Sequence, residues 1–257
     1  MHTTVWAIAV AVSLFVSMIL SLEFGYRMAR RGHRNRSEIS EGVGTIEAAV
    51  FALLGLLLGF SFAGGTERLD ARRDLIVQEA NAIGTAYLRM DLLPESEQNP
   101  MRRLFRDYLD ARIGAYAKLP DTAAADREFS KAADIQKVIW TRGVAASKAQ
   151  DNEAVARLVL PALNDMIDVT TSRTIALFTG LPGLIFGLLI GVAVLSGVLA
   201  GWAMAKRETR SWLHSVLYAA IVSVTIYTVA DLDSPRSGLI RLDRADTALL
   251  ELRDSIR

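Results

Sequence analysis

Charge-free apolar runs alternate with densely charged stretches along the chain, and that alternation sets the expected architecture. Residues 5–22 are uncharged, and VWAIAVAVSLFVSMILSLEF supplies about 20 residues, enough to cross a hydrocarbon core of roughly 30 Å as a helix. The head MHTT carries no Lys or Arg and no small-x-small site follows the apolar run, which predicts a retained span and not a cleaved signal peptide. A second span is predicted over 48–66 and a third in the uncharged run 174–205, which exceeds one straight crossing. Pro182 predicts a kink or short turn near the start of that run. The fourth span covers 211–230 and is ended by Asp231.

The segment 67–173 reads as soluble helix. In TERLDARRDLIVQEANAIGTAYLRMDLLP the residues Leu69, Ile76, Ala80, Ile83, Tyr87 and Met90 recur at helical spacing and form a packing face. Pro94 and the run ESEQNP predict its end. Further helices are predicted from Met101 to about Lys118, from about Thr122 to Lys148, and from near Asp151 toward the third span, with Pro161 bending the last. The chain thus divides into a transmembrane hairpin at 5–66, a helical segment at 67–173, a second transmembrane hairpin at 174–230 and a tail at 231–257. The fold class is an all-α membrane protein with four transmembrane helices and a helical soluble segment between spans two and three.

Composition narrows the chemistry. The 29 Lys and Arg against 28 Asp and Glu leave a net charge of +1, which excludes nucleic-acid binding driven by bulk charge. With no cysteine and only three scattered histidines, thiol chemistry, iron–sulfur clusters and the usual zinc sites are not expected. The two aspartates of DLDSPRSGLIR lack the further ligands of a calcium loop and read as a helix stop and turn. No nucleophile–base pair can be assembled, so neither an enzyme nor a metal or cofactor is expected.

The short loops indicate orientation. Arg27, Arg30, Arg31, Arg34 and Arg36 follow the first span, and Lys206, Arg207 and Arg210 follow the third, so both loops are expected in the cytoplasm. That places the helical segment outside.

Small and polar residues in and beside the spans are the candidate functional positions. Gly183, Gly187 and Gly191 lie at four-residue spacing, as do Gly197 with Gly201 and Gly55 with Gly59 and Ala63. Such rows let helices approach closely in lipid, either within one four-helix unit or between subunits. Glu23 and Arg27 form an i,i+4 pair at the end of span one, and Glu47 opens span two. Arg72 and Glu79 border the apolar stripe of the following helix and are expected to meet another helix. Asn81, Thr85 and Arg89 form a second polar row, solvated or lining an aqueous path. Asp231, Asp233 and Arg236 complete the set of candidate structural polar partners.

The pieces EFGYRMARR, LLGFSFAGGTERLDARRDLIVQEANAIGTAYLRMDLLP and DLDSPRSGLIR resemble the bacterial bestrophin-like membrane family over nearly the whole chain. A more distant similarity ties Leu58-Gly59-Phe60, Glu67-Arg68 and Asp70-Ala71-Arg72-Arg73 to the stretch where bestrophin channels leave their second membrane helix for the cytosol. The resemblance implies a homo-oligomer, pentameric in bestrophins, in the lipid bilayer of a bacterial inner membrane, conducting inorganic ions, chiefly anions such as chloride. It implies a hydrophobic neck at Ala52, Leu56 and Phe60, and a cytosolic helical segment, opposite to the side the loop charges indicate. The alternative from another class is a membrane sensor or scaffold with an extracytoplasmic helical segment and no transport activity.

Overall fold

The computed structural model describes residues 2–32, 40–119, 121–149, 153–205, 211–233, 239–240 and 243–256. They are helical almost throughout, without strands among the described residues. In chain order the helices are α1 (His2–Gly32), α2 (Ser40–Arg89), a 3-10 turn (Met90–Leu92), α3 (Glu95–Lys118), α4 (Thr122–Ala149), α5 (Glu153–Phe178), α6 (Gly183–Ala205), α7 (Trp212–Asp233) and α8 (Asp243–Ser255). Four segments are long and apolar enough to cross a membrane: Ile8–Arg31, Gly44–Leu92, Glu153–Ala205 and Trp212–Asp233. The uncharged run after Thr174 is divided, as Pro182 predicts, by an irregular stretch between Phe178 and Gly183.

Two compact units divide the chain: Met1–Leu69 with Gly180–Ile240, and Asp70–Thr179 with Arg241–Arg257. The first holds α1, α6, α7 and the residues of α2 up to Leu69. Its core joins Met18 and Leu22 of α1, Leu54 of α2, Leu189 and Ala193 of α6, and Ala219, Val222, Ile226 and Val229 of α7. Helices α1 and α6 pack most closely. A Cβ at Gly25 would collide with the Val198 carbonyl, and one at Gly201 with the Leu22 carbonyl, so the missing side chains are what permit this approach.

The second unit holds the rest of α2 with α3, α4, α5 and α8 around a conventional water-soluble core. Ile83, Met101, Phe105, Tyr108, Ile139, Leu163 and Met166 are each fully buried there. One boundary expected from the sequence moves: the run ESEQNP belongs to α3, which starts at Glu95, six residues before the predicted Met101. Glu95 and Glu97 lie in its first turn, where the helix dipole favours acidic groups, and Gln98 Nε2 donates to the Asp91 and Leu93 carbonyls at 3.1 and 3.0 Å. Beyond the turn expected at DLDSPRSGLIR the tail holds α8, which buries Leu249 in this core, followed by the buried Ile256, and pairs Arg253 with Asp110 at 2.9 Å.

Candidate functional site

On α2, within the first unit, one face looks inward and the opposite face does not. Leu54 is buried and Ser61 and Gly65 lie on the covered side; Phe51 meets Tyr218 edge to face at 6.0 Å. Ala52, Leu56 and Phe60, one helical turn apart, lie on the uncovered side, with Leu56 54% and Phe60 69% exposed. Gly55 and Gly59 adjoin them, and a Cβ at either would meet nothing within 4 Å. Of the apolar stretch in α2 only 11% of residues are buried, against 33% in α7.

The glycine rows divide in the same way. Gly197 and Gly201 are buried against α1, whereas Gly183, Gly187 and Gly191 on α6 face open space. Sequence spacing alone could not distinguish these rows, since the spacing is identical.

Where α2 leaves the apolar region, a polar lock ties it to α7 and to the start of α6. Asp233 accepts from Arg68 Nε at 2.8 Å and from the backbone N–H of Leu181, and Leu232 packs on Gly65. Asp231, 5% exposed, accepts from Tyr227 Oη at 3.0 Å and from the backbone N–H groups of Leu239 and Ile240 at 2.8 and 2.9 Å. Its oxygens thus hold Leu239 and Ile240 at the end of α7 through protein donors. Arg236 lies outside the described residues. Glu23 receives Arg27 Nε at 2.6 Å, as the i,i+4 spacing predicts.

The second unit buries a charge cluster. Glu79 is fully buried and takes Arg112 Nε at 2.7 Å on one oxygen and Arg173 on the other. Arg112 Nη2 donates to Tyr116 Oη at 2.5 Å, and the Arg173 guanidinium sits 3.7 Å from the Tyr116 ring centre. Tyr108 Oη lies 2.9 Å from Thr170 Oγ1, which is 3.4 Å from Glu79. Burial pushes the Tyr108 phenol up to about 12 against the opposing pull of Arg112, and burial together with Glu79 raises Tyr116 further. For Arg112, burial works to release its proton, but Glu79 and the two tyrosines outweigh it and hold the guanidinium charged.

Arg72, also buried, donates to the Ala176 and Thr179 carbonyls at 3.0 and 2.7 Å and so satisfies the C-terminal end of α5. The row Asn81, Thr85 and Arg89 separates: Asn81 and Thr85 are exposed, and Arg89 donates to the Leu158 carbonyl at 2.5 Å.

Sequence reasoning singled out Glu79 but neither of its arginine partners. The signal was present as charge within an apolar stripe. Arg112 continues Met101, Phe105 and Tyr108 on α3, and Arg173 continues Leu163, Met166 and Thr170 on α5.

These features define an all-α membrane protein with four apolar spans and a water-soluble helical unit. A Bestrophin-like domain matches residues 10–247, and the chain therefore belongs to the bestrophin-like family. Among solved structures it is similar to a variant of the bacterial bestrophin homologue from Klebsiella pneumoniae, with a TM-score of 0.68 at 12% identity, covering 96% of this chain and 98% of that one. A second structure of that homologue gives 0.64 at 14% identity with the same coverage. Among curated proteins no sequence matches this chain.

Proposed function

We propose that the protein is an oligomeric ion channel whose hydrophobic neck is the Ala52, Leu56 and Phe60 face of α2. The carrying observation is that this face is uncovered in the single chain beside the open glycines Gly55 and Gly59. In a closed ring of copies the small residues seal against a neighbour while the apolar residues face the axis. A ring of apolar side chains stops ions because a stripped ion loses its hydration, so wetting of the ring is the gate. Membership of the bestrophin-like family supports a channel-like function over an enzymatic one.

The family likeness implies anions, chloride foremost. Glu67 favours a second reading. It is exposed on the same face, seven residues beyond Phe60, and a ring of carboxylates at that level attracts cations. The test is ion flux into liposomes, with the oligomer counted by native mass spectrometry and reversal potentials measured for chloride and for sodium. Leu56→Ala/Phe60→Ala should raise flux at least about tenfold with the oligomer intact. No flux from a correctly assembled double variant removes the channel and leaves a sensor or scaffold.

A further inference from the structure

A cleft of about 370 Å³ opens between α3, α4 and α5 of the second unit, and its wall is chemically divided. The floor is formed by the buried residues Tyr108, Arg112 and Thr170, while Ser130, Ala133 and Ile175 at the rim are exposed. No carboxylate is among the lining residues. Arg112 spends Nε and Nη2 on Glu79 and Tyr116, but its Nη1 makes just one long contact among the described residues, 3.4 Å to Thr174 Oγ1. Gln136 Oε1 accepts from Tyr108 Oη at 3.2 Å, and that turns the donor end of the amide away from the phenol.

Beneath the floor Arg112 and Arg173 converge on Glu79, the buried carboxylate of this cluster. A guanidinium held charged in a low-dielectric setting attracts an anion, and its Nη1 can donate to one carboxylate oxygen. Beside it, Phe129, Ala132 and Ile175 offer an apolar wall, and the volume lies at the lower end of that of small-molecule sites.

We propose that this cleft binds a small organic monocarboxylate. Its carboxylate meets Arg112 Nη1 and the Gln136 amide, and its carbon body lies against Phe129 and Ile175. The site is independent of the neck, so it stands whether or not the protein conducts ions.

Calorimetric titration of the full-length protein in detergent tests it. The probes are benzoate and butyrate, with benzyl alcohol as the neutral arm and chloride and sulfate as inorganic arms. Saturable carboxylate binding is expected, with benzoate at least about tenfold tighter than benzyl alcohol, since a charge-assisted hydrogen bond separates the two. Ala133→Trp and Ser130→Trp fill the cleft from its exposed rim without touching Glu79. Each should weaken benzoate at least about tenfold while the unliganded protein melts like the parent. The proposal is overturned by equal affinity for benzoate and benzyl alcohol, by binding of the inorganic ions alone, by no saturable binding of either carboxylate, or by binding that both rim variants leave intact.

Discussion

The two units invert each other's distribution of polarity. The first leaves large apolar side chains uncovered, Phe60 and Leu184 among them at 69% and 86% exposure, while the second buries Glu79 with Arg72, Arg112 and Arg173. Uncovered apolar surface on this scale is stable only against lipid or further copies of the chain. Buried charge is stable only when partners are arranged for it within the fold. The first unit therefore depends on its surroundings, and the second on its own internal geometry.

Removing Glu79 presses hardest on that contrast. Glu79→Gln leaves Arg112 and Arg173 facing each other across a neutral amide, and the expected loss of stability is about 3–5 kcal/mol, read from denaturant unfolding of the detergent-solubilised protein. A loss under about 1 kcal/mol would mean that the cluster is wet and the contrast between the units is overstated.

Next in size is a comparison of two glycines on α6. Gly201→Val drives a side chain into the Leu22 carbonyl and should cost about 1–3 kcal/mol by forcing α1 from α6. Gly187→Val meets open space within the chain, so the protomer should keep its melting behaviour to within about 0.5 kcal/mol while the oligomer weakens. Native mass spectrometry reads the assembly; an oligomer indifferent to Gly187→Val would assign that row to lipid.

The smallest effect is a pH response confined to the second unit. An unburied phenol titrates near 10, whereas burial raises Tyr108 to about 12. A folded-state value above the unfolded one contributes stability that is complete below about pH 10 and is lost as pH climbs toward about 12. Ultraviolet titration should therefore show a late phenolate component that Tyr108→Phe diminishes, with part of the alkaline loss of stability going with it.

The spans were legible because crossing a membrane is a local property: length and apolarity along about 20 consecutive residues suffice. The packing faces of α2 and the stop after α7 were legible for the same reason, through helical spacing and a run of turn-forming residues. The beginning of α3 was not, since ESEQNP has the composition of a loop and becomes helix through its acidic first turn and the Gln98 contacts. Glu79 could be placed at the edge of a stripe, but its partners are 33 and 94 residues away in the chain.

By itself, then, the sequence determined four apolar helices, a charged helical segment between the second and third, and the rows on which small and polar residues fall. Tertiary structure alone decided which rows are used inside the chain. Gly201 and Gly187 stand in similar four-residue patterns, yet one lies against a backbone carbonyl and the other faces open space. Periodicity states which residues share a helix face, because that follows from 3.6 residues per turn. What the face meets depends on the rotation of each helix about its axis, and that is settled by packing between residues far apart in the chain.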